Sequence, residues 1–84
     1  MHNFVMRKIT VTADYQPLVS GSLVASVTIS TPPTNSANVL FKGDDGSDVA
    51  FVPGEWHEFR SIELASVQVK GTPGDVVTVV GGTW

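Results

Sequence analysis

The chain has no cysteine, so no disulfide can brace it and no thiolate can act as nucleophile or metal ligand. It is also short of charge: Asp, Glu, Lys and Arg make up 15% of its 84 residues, against roughly 25% in an average soluble domain. Only five of these are basic and the net charge is −3. Neutralising a phosphate backbone needs a clustered basic patch, so nucleic acid is excluded as the main partner. No apolar run approaches the roughly 20 residues of a membrane-spanning helix. At the start, Arg7-Lys8 follows a very short apolar stretch instead of preceding a long one, which reads as no signal peptide and as folding in a cytoplasm.

What remains is rich in Val, Thr, Ser and Gly, with 42% apolar residues. A single domain of this size buries only about 60–65% of the surface its unfolded chain exposes. Without disulfides, and with no His/carboxylate cluster at ligand spacing, the common remaining route to stability is association with other chains. A Thr/Val surface of low charge suits that route.

Period-2 alternation recurs along the chain. Ile9, Val11 and Ala13 alternate with Thr10 and Thr12; Leu23, Ala25, Val27 and Ile29 form the clearest apolar face and are expected in the core. Thr31-Pro32-Pro33-Thr34-Asn35-Ser36 cannot continue a central strand, because adjacent prolines offer no N–H to a ladder, and is expected as an exposed loop. Strand character resumes over 38–42 and turns at Gly43-Asp44-Asp45-Gly46-Ser47-Asp48. A short run, Val49–Val52, ends at Pro53-Gly54. Trp56 to Arg60 then alternates, with His57 and Phe59 on one face and Trp56 and Glu58 on the other. Val67 and Val69 should point inward, and Thr72-Pro73-Gly74-Asp75 repeats the Pro-Gly-acid turn before Val76–Val80. About seven short strands, frequent turn signals and no helical period indicate one all-β domain over 1–84, an antiparallel β-sandwich or jelly roll without substantial helix. The two Pro-Gly-acid turns are expected at an end of that sandwich. Residues 1–3 and 81–84 are expected as flexible or partner-contacting termini, since Gly81-Gly82 is costly to fix.

Chemistry is sparse. Asp44, Asp45 and Asp48 lack the ligand spacing of a calcium loop and read as turn residues. Glu55 and His57 share a strand face, but no third metal ligand accompanies them. No Gly-x-Ser-x-Gly elbow exists, and neither Gly43–Gly46 nor Gly81-Gly82 precedes a helix that could bind phosphate. The chain reads as non-enzymatic, with no cofactor and no metal. Trp56 covers an edge of its own core, anchors a protein interface or stacks on a sugar ring. Val76 and Val80 add an apolar second face to a run whose Val77 and Val79 point inward, and Trp84 ends the chain after two glycines. Trp56, Val76, Val80 and Trp84 are the candidate interface residues.

The order Ser26-Val27-Thr28-Ile29, Pro33-Thr34-Asn35-Ser36-Ala37-Asn38-Val39, Pro53-Gly54-Glu55, then Val67-Gln68-Val69-Lys70-Gly71-Thr72-Pro73-Gly74-Asp75-Val76-Val77 resembles small β-sandwich structural proteins of tailed bacteriophages. The resemblance spans roughly residues 20 to 80. It implies a capsid decoration or cement protein, or the base of a head fibre, placed on the virion surface and assembled in the host cytoplasm. The implied partners are its own copies, as a homotrimer, and the major capsid protein. A carbohydrate- or receptor-binding module of a fibre or tail is the alternative, with Trp56 and the 31–36 or 43–48 loops forming a glycan site. The chain departs from the pattern at Trp56-His57, where a small polar and aliphatic pair is commoner, and at its Gly81-Gly82-Thr83-Trp84 ending.

Overall fold

In the computed structural model, which describes residues 3–83, eight strands follow one another: β1 (Asn3–Thr10), β2 (Gln16–Pro17), β3 (Val24–Ser30), β4 (Val39–Lys42), β5 (Val49–Phe51), β6 (Trp56–Glu63), β7 (Gln68–Lys70) and β8 (Val76–Thr83). A single 3₁₀ turn, Leu64–Ser66, separates β6 from β7. The strands make two four-stranded antiparallel sheets, in the orders β1-β8-β3-β6 and β2-β7-β4-β5.

The pairing is nested. The first strand pairs with the last, the second with the seventh, the third with the sixth, and β4 with β5 across the 43–48 turn. A long hairpin of this kind cannot bury apolar residues on both faces while flat. Rolled up, it brings β3 against β8 and β4 against β7, giving the interleaved orders of a jelly roll. Between the two sheets lie Val5, Val11, Ala25, Val27, Ile29, Val39, Phe41, Phe51, Leu64, Val69, Val77 and Val79, all buried. The expected all-β sandwich is therefore present, with the two-residue β2 as a strand not foreseen.

The alternation in β3 holds: Ala25, Val27 and Ile29 are inward. In β1 it holds in part. Val11 is buried and Ile9 half-buried, but Ala13 is exposed because the chain has already left the sheet.

Two expectations are corrected. Gly81 and Gly82 are not a loose tail: both lie in β8, between β1 (Val5 and Phe4) and β3 (Val27 and Ser26). At Gly81 a side chain is excluded, since a Cβ would lie 2.1 Å from the Ser26 carbonyl oxygen and 2.6 Å from the Val27 Cα. Asn3 likewise belongs to β1, opposite Thr83; residues 1, 2 and Trp84 lie outside the described residues. The second correction concerns the 31–36 loop, in which Thr31 and Asn35 are buried. Their side chains replace the hydrogen bonds that a strand would have supplied, as buried polar groups require.

Candidate interaction surface

Both Pro-Gly turns are built alike. Glu55 N–H donates to the Val52 carbonyl at 3.0 Å and Asp75 N–H to the Thr72 carbonyl at 3.0 Å, with Gly54 at φ 90° and Gly74 at φ 97°. Proline before a positive-φ glycine is the type II turn. The two turns grip the 31–37 loop from either side. Thr31 donates its N–H to the Glu55 carbonyl and its hydroxyl to the Val52 carbonyl, while Gly54 N–H donates to the Thr31 carbonyl. On the other side Asn35 exchanges a pair of bonds with the Val76 backbone, at 2.8 and 3.0 Å. The Asp75 carboxylate accepts from the N–H and hydroxyl of Ser36 and from the N–H of Ala37. Led by the Ser36 N–H and opposed by desolvation, these bonds hold the Asp75 carboxyl below its ordinary value. This end of the molecule is a locked frame.

At the opposite end Glu63 plays a similar part, accepting from the Leu23 N–H at 2.7 Å, from Ser22 and from the Ala65 N–H. These donors, Ser22 foremost, lower its pKa.

Glu55 and His57 do meet, with Oε2 2.6 Å from Nε2, and the bond to His57 is the chief cause of a lowered Glu55 pKa. Among the described residues no group of three His, Asp or Glu side chains is placed to hold a metal. The 43–48 turn is closed by Asp45, whose carboxylate accepts from the Ser47 N–H, and Asp48 is bound by Tyr15 and lies 3.9 Å from Lys42 Nζ. The Tyr15 ring is flanked by the Lys42 and Lys70 ammonium groups, 4.2 and 4.7 Å from its centroid.

The outer face of the first sheet is where the candidate residues gather. Register places Met6, Val80, Thr28 and Glu58 in one row across four strands, and Lys8, Thr78, Ser30 and Trp56 in the next. Trp56 is 59% exposed on this face, so it does not cover the core beneath its own strand. Val80 is 48% exposed. Val76 is half-buried at the start of β8, opposite Thr10. Trp56, Val76 and Val80 thus share one face, and Trp84 falls outside the described residues.

Sequence reasoning missed the most exposed apolar side chains of that face, Phe4 at 92% and Met6 at 73%. Their parity with Lys8 and Thr10, opposite to Ile9 and Val11, is the signal that would have placed them outward. Beside Val80, where Gly81 provides no side chain, a shallow depression of about 170 Å³ is lined by Ser26, Thr28, Glu58 and Arg60. A second recess of about 210 Å³ is almost wholly apolar. It opens between β5 and β6 and is lined by Ile29, Phe41, Val49, Phe51, Phe59 and Val67.

No family model, characterised protein or solved structure matches this chain.

Proposed function

We propose that the chain is a non-enzymatic structural protein of a tailed-phage virion, a decoration protein that binds the outside of the assembled head shell as a homo-oligomer. The observation that carries this reading is the outer face of the first sheet. A domain with so little charge presents Phe4, Met6, Val24, Trp56 and Val80 to solvent on a scaffold locked at both ends by Asp75 and Glu63. Scattered exposed apolar residues are ordinary; several on one sheet face are the usual mark of a contact surface. The ordered motifs over residues 20 to 80 support the phage assignment. Both the Pro-Gly-acid turns and the Asn35-Ser36 pair in those motifs are the parts that build the locked frame.

The mechanism follows from mass action. A protein that binds assembled shell and not free subunits stabilises the shell, and repeated weak contacts over many copies add up where one would not suffice. The test is to mix the protein with shells of the major capsid protein and measure copies bound and the temperature of shell disruption. Saturable binding with a raised disruption temperature is expected, and alanine at Trp56, Val76, Val80 and Trp84 together should lower occupancy. Unchanged occupancy in that variant removes these residues from the interface; absence of binding removes the reading.

Trp56 also favours a second reading, a glycan-binding module. It follows directly on Glu55, whose carbonyl accepts from Thr31 of the Pro32-Pro33 loop, so an exposed indole stands beside a rigid loop, a placement suited to stacking on a sugar ring. Titrating a glycan panel against tryptophan emission tests it: a saturable shift lost in Trp56→Ala supports glycan binding, and no shift overturns it.

A further inference from the structure

Sheet edges differ sharply in this molecule. Strand β2 has two residues, one of them Pro17, and β5 has three. Strand β6 is long but broken. Between Ala25 and Val27 its register slips, Ser61 takes φ 51°, and the Ser61 N–H is drawn to the Ser26 hydroxyl. Among the described residues only β1 is a long edge with unbroken register, from Asn3 opposite Thr83 to Thr10 opposite Val76. An edge of that kind is a template for another strand.

The direction of its backbone groups can be read at both ends. Val11 N–H donates to the Asp75 carbonyl, in the register that continues β1 against β8, and the Asn3 N–H points to Thr83. Because direction alternates along an antiparallel strand, odd-numbered residues face β8 and even-numbered ones face away. The Thr10 carbonyl confirms this, since it accepts from the Gln16 side chain instead of from β8. With the Thr10 carbonyl occupied, the free row among the described residues is Phe4, Met6 and Lys8.

We infer that this row pairs with the same row of a second copy of the chain, antiparallel about a two-fold axis through Met6. Three features select this partner and register. The free row is symmetric about Met6, so that Phe4 faces Lys8 of the second copy, Met6 faces Met6 and Lys8 faces Phe4. The cations are on one side of Met6 and the apolar residues on the other, so reversal sets Lys8 against the second copy's Phe4 and Arg7 against its Val5. Shifting the axis by one residue towards Thr10 would oppose Arg7 to Arg7 and demand the Thr10 carbonyl, and a further step would oppose Lys8 to Lys8; like charges facing each other disfavour both. Finally, the pairing sets Val80, Met6, Met6 and Val80 of the two copies in one continuous row, merging the exposed apolar residues into a single patch. The contact is isologous and closes at two chains. It concerns the sheet edge and stands whether or not the protein decorates a shell; any higher symmetry on a shell would use another surface of the pair.

The test is light scattering on the full chain at sub-millimolar concentration together with amide exchange by NMR. The expected mass is twice the 8.9 kDa of one chain, with the Phe4, Met6 and Lys8 amides protected. Met6→Pro removes an outward N–H at an edge position, where a sheet tolerates proline, so it should yield a folded monomer in which the Phe4 and Lys8 amides exchange rapidly. Met6→Glu, which opposes two carboxylates across the axis, should do the same without touching the backbone. Met6→Cys, in a chain with no other cysteine, should cross-link completely with a short bis-maleimide, which spans directly opposed side chains of a hydrogen-bonded pair. A monomer, a trimer with rapidly exchanging Phe4, Met6 and Lys8 amides, or a dimer that both Met6→Pro and Met6→Glu leave intact would overturn the inference.

Discussion

Gly81 faces the Ser26 carbonyl with no space for a methyl group, a Cβ there falling 2.1 Å from the oxygen. The obstacle is backbone on a central strand, which cannot swing aside as a side chain would. Gly81→Ala should cost about 2–4 kcal/mol, at or above the upper end of ordinary overpacking, whereas Gly43→Ala, with nothing within 4 Å of its Cβ, should be nearly neutral. Denaturant melts of the two variants check the contrast.

The Pro-Gly turns lend themselves to a different comparison. A Cβ at Gly74 meets nothing within 4 Å, yet φ 97° is unfavourable for any other residue. Gly74→Ala should therefore destabilise by about 1–3 kcal/mol through backbone strain alone, and Gly74→Asn, which tolerates positive φ better, by less. Equal losses in the two variants would point to some cause other than φ.

Acid should loosen the molecule at its two clasps. The pKa values of Asp75, Glu63 and Glu55 are all lowered in the fold. Each therefore contributes stability that is complete above the ordinary carboxylate range and is lost as pH falls through the lowered folded value. Melting temperature should hold level from neutral pH to about pH 5 and fall below it, through about pH 3. In Asp75→Asn the fall should be shallower, from a lower starting stability, because one titrating clasp is gone. A parallel pH curve in that variant would contradict the assignment.

At the alkaline end Tyr15 is the reporter. Desolvation first, then the hydrogen bond and charge of Asp48, push its phenol up from 10.0 to about 12. A raised folded pKa means stability is complete below 10.0 and declines as pH rises towards about 12. Ultraviolet titration of the phenolate should show this late transition, and Asp48→Asn should move it part of the way back towards 10.0. No movement would assign the shift to desolvation alone.

The inward face of β3 was legible because alternation of Ala25, Val27 and Ile29 with small polar residues fits only a half-buried strand. That Trp56 and Phe59 lie on opposite faces was legible too, but that Trp56 stands clear of the core was decided only by its exposure. Gly81 was not, because a glycine pair reads as mobility in isolation; the need for close approach arises at Ser26, 55 positions away in sequence and beside the Ser61 bulge. Asn35 and Asp75 looked like exposed turn residues, since propensity registers their turns but not the partners across the molecule that let them be buried. Phe4 and Met6 share the parity of Lys8 and Thr10, a local sign that they point outward; that β1 is an edge is a property of sheet order that no local pattern carries.

The nested pairing has a consequence for how the chain is made. Among the described residues, every ladder joins a strand that precedes the 43–48 turn to one that follows it: β1 to β8, β2 to β7, β3 to β6 and β8, β4 to β5 and β7. A ribosome that has released everything up to Lys42 has released four strands and not one ladder. The nascent half must wait, unpaired, until its complement emerges, and the sheet closes only when the last residues of β8 arrive between β1 and β3. The same chain cut at Gly46 would give two fragments with no ladder to form within either, which could acquire the native sheets only by combining with each other.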